Sequence, residues 1–368
     1  MSVANLLDGK RIVVCAGPGG VGKTTTAASI ALGMAEQGLK VAVLTIDPAR
    51  RLANSLGLAE LGNQETRVPI DIEGEGELWA LMLDAKRTWD EVIERHAADD
   101  KTRDAVLQNR IYQELSNAVA GSTEYMAMEK LYELYQEDRY DLLVLDTPPT
   151  RNALDFLDAP QRLSRFIDSR SLQFFLKPGR FGLKVLGRGG GVLFSVLKRV
   201  TGVDLLSDLS DFFTSFGDMA QGIQERAERV ADLLGDRRTT FLVITSPQRD
   251  SIDEAIFFRR RLREGRMPFG GAIVNRVHDQ ELADGDPEVA DDLEPLLGEK
   301  LAAKVARNYA DYRELAERDR DQIERLRRET TREPVILVPH LDDDVHDADG
   351  LRAMNAHLFA PDTVSAEA

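Results

Sequence analysis

Residues 17–25 read Gly-Pro-Gly-Gly-Val-Gly-Lys-Thr-Thr, and their flanks restrict the fold more than any other stretch of the chain. Before them, Arg11–Ala16 is a short apolar, β-branched run that stops at glycine, the pattern of a buried parallel strand. After them, Lys23–Gln37 has helical spacing, with Gly38 as its stop. Val41–Ile46 is a second apolar run. Strand, helix and strand make a βαβ unit, which implies a right-handed crossover and parallel strands. Further strands are predicted at Leu78–Asp84, Asp141–Asp146, Thr240–Thr245, Gly270–Asn275 and Pro334–Pro339, with helical stretches between them. Strands alternating with helices predict a doubly wound α/β fold with a mostly parallel sheet.

The loop itself fits G-x-x-x-x-G-K-[ST], in the strand-then-helix context that this motif requires. Glycines let a backbone wrap a phosphate with its N–H groups pointing inward, and the helix N-terminus adds positive potential. The nucleotide contacts predicted here are Gly17, Gly19, Gly20, Val21, Gly22, Lys23, Thr24 and Thr25. Lys23 is expected to reach the β- and γ-phosphates of ATP, and the Thr24 hydroxyl to bind Mg²⁺.

Two aspartates stand at predicted strand ends. Asp47 opens Asp-Pro-Ala directly after the second strand, at the carboxyl edge where α/β sheets bind ligands. A carboxylate there can orient an attacking water, and also lie within reach of a water-mediated metal. The same residues equally suit a helix N-cap followed by proline. Asp146 ends Tyr-Asp-Leu-Leu-Val-Leu-Asp, four apolar residues and then a carboxylate. Next to a phosphate loop this is the Walker B arrangement, which holds Mg²⁺ directly or through water. Thr147-Pro148-Pro149-Thr150 follows as a stiff segment suited to sensing the γ-phosphate.

The strand spacing breaks between about 150 and 238, which holds nine of the fourteen phenylalanines. That stretch reads as a helical insertion. The predicted organisation is an ATPase core over 1–150, the insertion over 151–238, the rest of the core with base-binding loops over 239–361, and a frayed tail over 362–368. Residues 300–330 read as a long, charged, solvated helix. A net charge of −16 argues against a nucleic-acid partner, which needs a basic footprint. The one cysteine, Cys15, allows no intrachain disulfide and no multi-thiolate metal site. The first residues lack the apolar core of a signal peptide, and no run of about 18 apolar residues occurs. A cytoplasmic location is therefore expected.

Three segments together resemble the ArsA family of P-loop ATPases, which includes the arsenite-pump ATPase and the ATPase that targets tail-anchored membrane proteins. GPGGVGKTT (17–25) and TIDPARRLANSL (45–56) are similar to its deviant Walker A loop and switch I, and DTPPTRNALDFL (146–157) to its switch II. AIVNRV (272–277) resembles the segment whose asparagine contacts adenine, here Asn275. VPHL (338–341) resembles the loop that closes over the base, which brings in Pro339, His340 and Leu341. The resemblance runs over nearly the whole chain and is nearest to a bacterial subgroup whose members occur as paired paralogues. It implies Mg-ATP hydrolysis by a homodimer, or a heterodimer with a paralogue, with Asp47 as the catalytic residue that positions water beside Lys23. It implies that Asp146 holds the metal shell.

Departures matter too. The family's loop usually carries a second lysine, which reaches across the dimer, where this chain has Pro18. Slow hydrolysis is the expectation, unless Arg50, Arg51, Arg151 or a partner chain supplies the cation. With Cys15 alone, neither arsenite binding nor a structural zinc is expected. Between Arg170 and Val200 lie seven basic residues and no acidic one, interleaved with phenylalanines and leucines. Such a stretch suits a groove for a hydrophobic helix, or an anionic membrane surface, and equally suits packing on its own domain.

Overall fold

The computed structural model describes residues 2–47, 51–72, 74–110, 112–113, 122–148, 158–159, 165, 205–279, 289–330 and 333–360. The basic stretch 170–200 lies outside the described residues, as do Arg50 and Arg151.

The described residues group into two compact units. One comprises Met1–Met82, Leu134–Leu154 and Leu234–Ala368, and the other Leu83–Glu133 and Asp155–Leu233. The first unit is built on a sheet of β1 (Ile12–Ala16), β2 (Lys40–Thr45), β3 (Thr66–Arg67), β4 (Glu77–Met82), β5 (Leu142–Asp146), β6 (Thr239–Thr245), β7 (Phe269–Val277) and β8 (Val335–Pro339). Their spatial order is β3-β4-β2-β5-β1-β6-β7-β8. All pairs are parallel except the short β3–β4 edge. Every apolar run predicted as a strand is present. The long charged helix is present too, as Glu299–Glu329.

The order of strands follows from their composition. β1, β5 and β6 are buried at every residue, so each needs cover on both faces and belongs in the middle of the sheet. β3 has two exposed residues and pairs on one side only, as befits an edge. The helix Lys23–Glu36 packs into the core through Ile30, Ala31 and Met34, and Leu351, Met354 and Leu358 of the helix Ala348–Leu358 join the same cluster. Truncating one such core leucine to alanine typically costs about 2–5 kcal/mol. Because the sheet is parallel, the carboxyl ends of β1, β2, β5, β6 and β7 all open on one edge.

The second unit contains the helices Ala85–His96, Asp100–Leu107, most of Ser122–Glu137 and most of Leu205–Gly235. Asp84 and Asp99 cap the first two by accepting from the N–H groups of Arg87 and Thr102. At its centre is a carboxylate, Glu129, whose side chain is 0% exposed. Its Oε1 accepts from Arg226 Nε at 2.7 Å and from Arg95 Nη1 at 3.3 Å, and its Oε2 accepts from the Tyr125 hydroxyl at 3.4 Å. The Arg226 guanidinium also lies over the Tyr132 ring, 4.5 Å from its centroid. One buried anion thus ties together residues of three helices. Glu129→Ala, which leaves Arg226 without its counter-charge, is expected to destabilise this unit by about 3–5 kcal/mol. Hydrogen exchange of residues 205–235 measures it. Unchanged protection there would show that packing alone holds the unit.

Candidate functional site

The phosphate loop leaves β1 at Gly17 and enters the helix at Lys23, with Gly22 as its N-cap. Two glycines are required by contact. A Cβ on Gly17 would lie 1.8 Å from the carbonyl oxygen of Ile244 in β6. A Cβ on Gly22, whose φ is +90°, would lie 2.5 Å from the Asn275 side-chain nitrogen. The loop is therefore pressed against the ends of β6 and β7 where only glycine fits.

Lys23 is buried, and its ammonium donates to the Pro18 carbonyl at 2.7 Å. Burial holds its pKa below the ordinary lysine value, against the pull of Asp146 and Asp47. Pro18 is itself buried, so the residue that stands in place of the family's second lysine faces the protein and anchors Lys23 through its carbonyl.

Asp146, at the end of β5, is 1% exposed. Its Oδ2 accepts from the Thr24 hydroxyl at 2.7 Å and from the Thr45 hydroxyl at 2.9 Å. Thr45 Oγ1 in turn accepts from the Asp47 backbone N–H at 3.2 Å. One carboxylate thus joins the phosphate loop, the end of β2 and the first residues after it. Its other oxygen, Oδ1, is buried and has no hydrogen-bond partner among the described residues. A buried carboxylate oxygen without a donor, beside a threonine hydroxyl, fits a hard divalent cation or a water of its shell. Burial raises the Asp146 pKa to about 6, although the two threonine hydroxyls and Lys23 favour its charged form. Thr147 is buried and donates through its hydroxyl to the Cys15 carbonyl at 2.9 Å, which fixes the start of the segment after β5 to β1. Cys15 is fully buried, and desolvation raises its thiol pKa far above the usual range, so it is an apolar filler here.

These residues border a cleft of about 360 Å³ lined by Gly20, Gly22, Lys23, Thr24, Thr25, Asp47, Arg51 and Thr147, among others. Asp47 lies at its rim, with Arg51 Nη1 3.8 Å from its carboxylate and the Arg51 side chain 66% exposed. The alternative in which Asp47 is a helix N-cap needs Pro48 at the first helical position, and residues 48–50 lie outside the described set, the first described helical residue being Arg51. A second cleft of about 670 Å³ adjoins the first at Gly20 and Arg276. Gly19, Val21, Ser246, Gln248, His278 and His340 line it.

The base-binding residues predicted from the sequence divide. Asn275 is buried, and its side chain bridges to the phosphate loop by donating to the Val21 carbonyl at 2.9 Å and accepting from the Arg276 N–H at 3.0 Å. His340 borders the second cleft and stacks on His278, with ring centroids 6.4 Å apart. Pro339 ends β8 in register with Val277. Leu341 packs on the core and borders neither cleft. Arg276, Ser246 and Gln248 also border these clefts, and sequence reasoning did not single them out. The one signal for Arg276 was its place directly after Asn275.

The family model of anion-transporting ATPases matches residues 10–311 of this chain. The chain belongs to the anion-transporting ATPase family. Among similar proteins, "ATPase GET3" of Malassezia globosa is 27% identical over 245 residues, which is 66% of this chain and 66% of that protein. "ATPase ASNA1 homolog" of Babesia bovis is 26% identical over 280 residues, 75% of this chain and 69% of that one. "ATPase ARSA2" of Chlamydomonas reinhardtii is 22% identical over 369 residues, 98% of this chain and 88% of that one. The match thus reaches just under two thirds of the GET3 protein. ATPase is the activity in that family's name and in these relatives' names, and the groups described around Lys23 share one cleft. No helix among the described residues is long and apolar enough to cross a membrane.

Proposed function

We propose that this ATPase binds Mg-ATP in the cleft beside Lys23, hydrolyses it with Asp47 orienting the attacking water, and uses the cycle to switch a dimer that presents a hydrophobic helical surface. The observation that carries the reading is the chain Thr24–Asp146–Thr45–Asp47, in which one buried carboxylate is bonded to the phosphate loop and, through Thr45, to the backbone of Asp47. Lys23 exchanges its bond to the Pro18 carbonyl for a charge-assisted bond to the phosphates, and their negative charge offsets its desolvation. Thr24 and the free oxygen of Asp146 would hold Mg²⁺, which when bound neutralises charge on the phosphoryl group. Asp47 has its carboxylate at the cleft rim, 24% exposed, where it can accept a hydrogen bond from water. Asn275 and His340 are proposed to face the adenine side. The surface switched by the cycle is proposed to come from residues 151–238, with a hydrophobic helix or an anionic membrane surface as its occupant, and the second subunit to be a like chain or a paralogue.

Asp47→Asn is expected to lower turnover by about 10²-fold or more while leaving ATP affinity within a few-fold. Light scattering on size-exclusion fractions is expected to show a dimer with a non-hydrolysable ATP analogue and a smaller species without it. A hydrophobic dye is expected to bind the two states unequally. Equal mass and equal dye binding in both would sink the switch. A second reading is favoured by Pro18, which is buried and brings no cation to the site. In it the nucleotide drives assembly with a partner and hydrolysis by the chain alone is slight. Brisk turnover by the purified chain would rule that out.

A further inference from the structure

We propose that Arg276 is a phosphate-binding cation of this site, acting within its own subunit on the α- or β-phosphate of the nucleotide. The proposal deepens the reading that ATP occupies the cleft beside Lys23, and rests on it.

Three non-glycine residues among those described have positive φ: Asp138, Arg266 and Arg276. Asp138 directly follows the helix Ser122–Glu137, and Arg266 comes two residues after the end of Arg249–Glu264. The left-handed conformation is ordinary at such helix ends. Arg276 is different, because it lies inside β7 with φ +61°. The pairing of β7 with β8 shifts register between Val274 and Val277, across this residue. In the burial pattern of β7 it is the one exposed position, set between buried Asn275 and buried Val277. A bulge that turns a single side chain out of a strand is a device for aiming it. The surroundings hold the conformation, since the Arg276 N–H donates to the Asn275 side-chain oxygen at 3.0 Å.

The aim is at the phosphate loop. Arg276 Nη1 donates to the Gly20 carbonyl at 3.3 Å, and Arg276 borders both clefts where they adjoin. Among the described residues it makes no ion pair. A planar guanidinium with a carbonyl on one edge keeps its remaining N–H groups for phosphate oxygens. Position decides which phosphate. Lys23, Thr24 and Asp47 line the first cleft and mark its reacting end, while His278 and His340 line the second. A residue at the junction meets the part of the nucleotide between the terminal phosphate and the base. Such a cation adds positive charge from β7 to a loop that has proline at position 18.

The test is nucleotide affinity of the full chain, wild type against Arg276→Gly, Arg276→Lys and Arg276→Gln. Glycine suits the left-handed backbone, so Arg276→Gly removes the charge without straining the bulge. Expected are affinities for ATP and for ADP both weakened about tenfold in Arg276→Gly and Arg276→Gln. Arg276→Lys is expected to fall between these and wild type, and adenosine competition to stay unchanged. Unchanged ATP and ADP affinity in a wild-type-like fold would overturn the proposal. So would an equal loss for adenosine, which would assign Arg276 to shaping the base side, or a loss confined to ATP, which would assign it to the terminal phosphate. Failure of the wild-type chain to bind ATP at all would overturn the underlying reading, and this control separates the two failures.

Discussion

Asp146→Asn is expected to abolish metal-supported hydrolysis, and at the same time to make the stability of the nucleotide-free chain less sensitive to pH. The activity loss follows from the carboxylate's place beneath the phosphate loop, bonded to Thr24 and Thr45 with its second oxygen open to a cation shell. Removal of one preorganised electrostatic group from a phosphoryl-transfer site typically costs about 10²-fold or more. The stability effect follows from burial. The Asp146 pKa rises from 3.8 to about 6 on folding, so between those values the folded chain holds a proton that the unfolded chain releases. The associated stabilisation is complete below pH 3.8 and is lost as pH rises through about 6. Asparagine carries no such proton. The stability difference, variant minus wild type, is therefore expected to grow by about 2 kcal/mol from pH 4 to pH 7 in chelator and without nucleotide. Costs of the amide that do not vary with pH cancel from that growth. Urea melts at a series of pH values measure it, and a flat difference would falsify the buried-proton account.

The second large effect is expected at Gly17. Its α-carbon stands so near β6 that an alanine methyl would lie 1.8 Å from the Ile244 carbonyl oxygen. That oxygen is backbone in a strand buried throughout, paired with β1 on one side and β7 on the other, so it has no easy retreat. Gly17→Ala is expected to lower stability by more than about 3 kcal/mol and to remove ATP binding. Gly20→Ala is the control. Its φ is +79°, but nothing lies within 4 Å of an added Cβ. That variant meets only backbone strain, about 1 kcal/mol, and is expected to fold while binding ATP more weakly. Equal melting temperatures for the two variants would show that loop conformation, not the contact with β6, sets the requirement for glycine at 17.

The fold was legible because it is local in origin. Each central strand is an unbroken apolar run, and such runs signal burial without knowledge of their neighbours. β3 was not legible, since Thr66 and Arg67 are exposed and only their pairing with β4 makes them a strand. In the cleft, Lys23 and Thr24 could be read because they close a glycine-rich loop that leaves β1, and Asp47 and Asp146 because they stand at or just past the ends of β2 and β5, whose carboxyl ends the parallel topology sends to one edge. What could not be read is where the side chains of neighbouring strands turn. The Asn275 amide reaches Val21, and Arg276 reaches Gly20 only because its backbone is left-handed. No periodicity encodes that. The sequence offered Arg50, Arg51 and Arg151 as cations, and of these Arg51 borders the cleft, with the other two outside the described residues.

The division of the chain has a consequence for how it is made. The second unit is two lengths of chain, 83–133 and 155–233, and between them runs 134–154, which carries β5 and Asp146. During synthesis the second unit lacks Arg226, a partner of Glu129, until well after β5 has emerged. The sheet in turn lacks β6, the neighbour of β1, until that unit has been translated. Neither unit can finish as an early, self-contained product. A fragment ending near residue 150 would hold Lys23, Asp47 and Asp146 but not the β6 backbone and the Asn275 side chain of β7 against which the phosphate loop is pressed. The proposed nucleotide site thus becomes whole late in synthesis, and a truncated chain would have its motif without its grip.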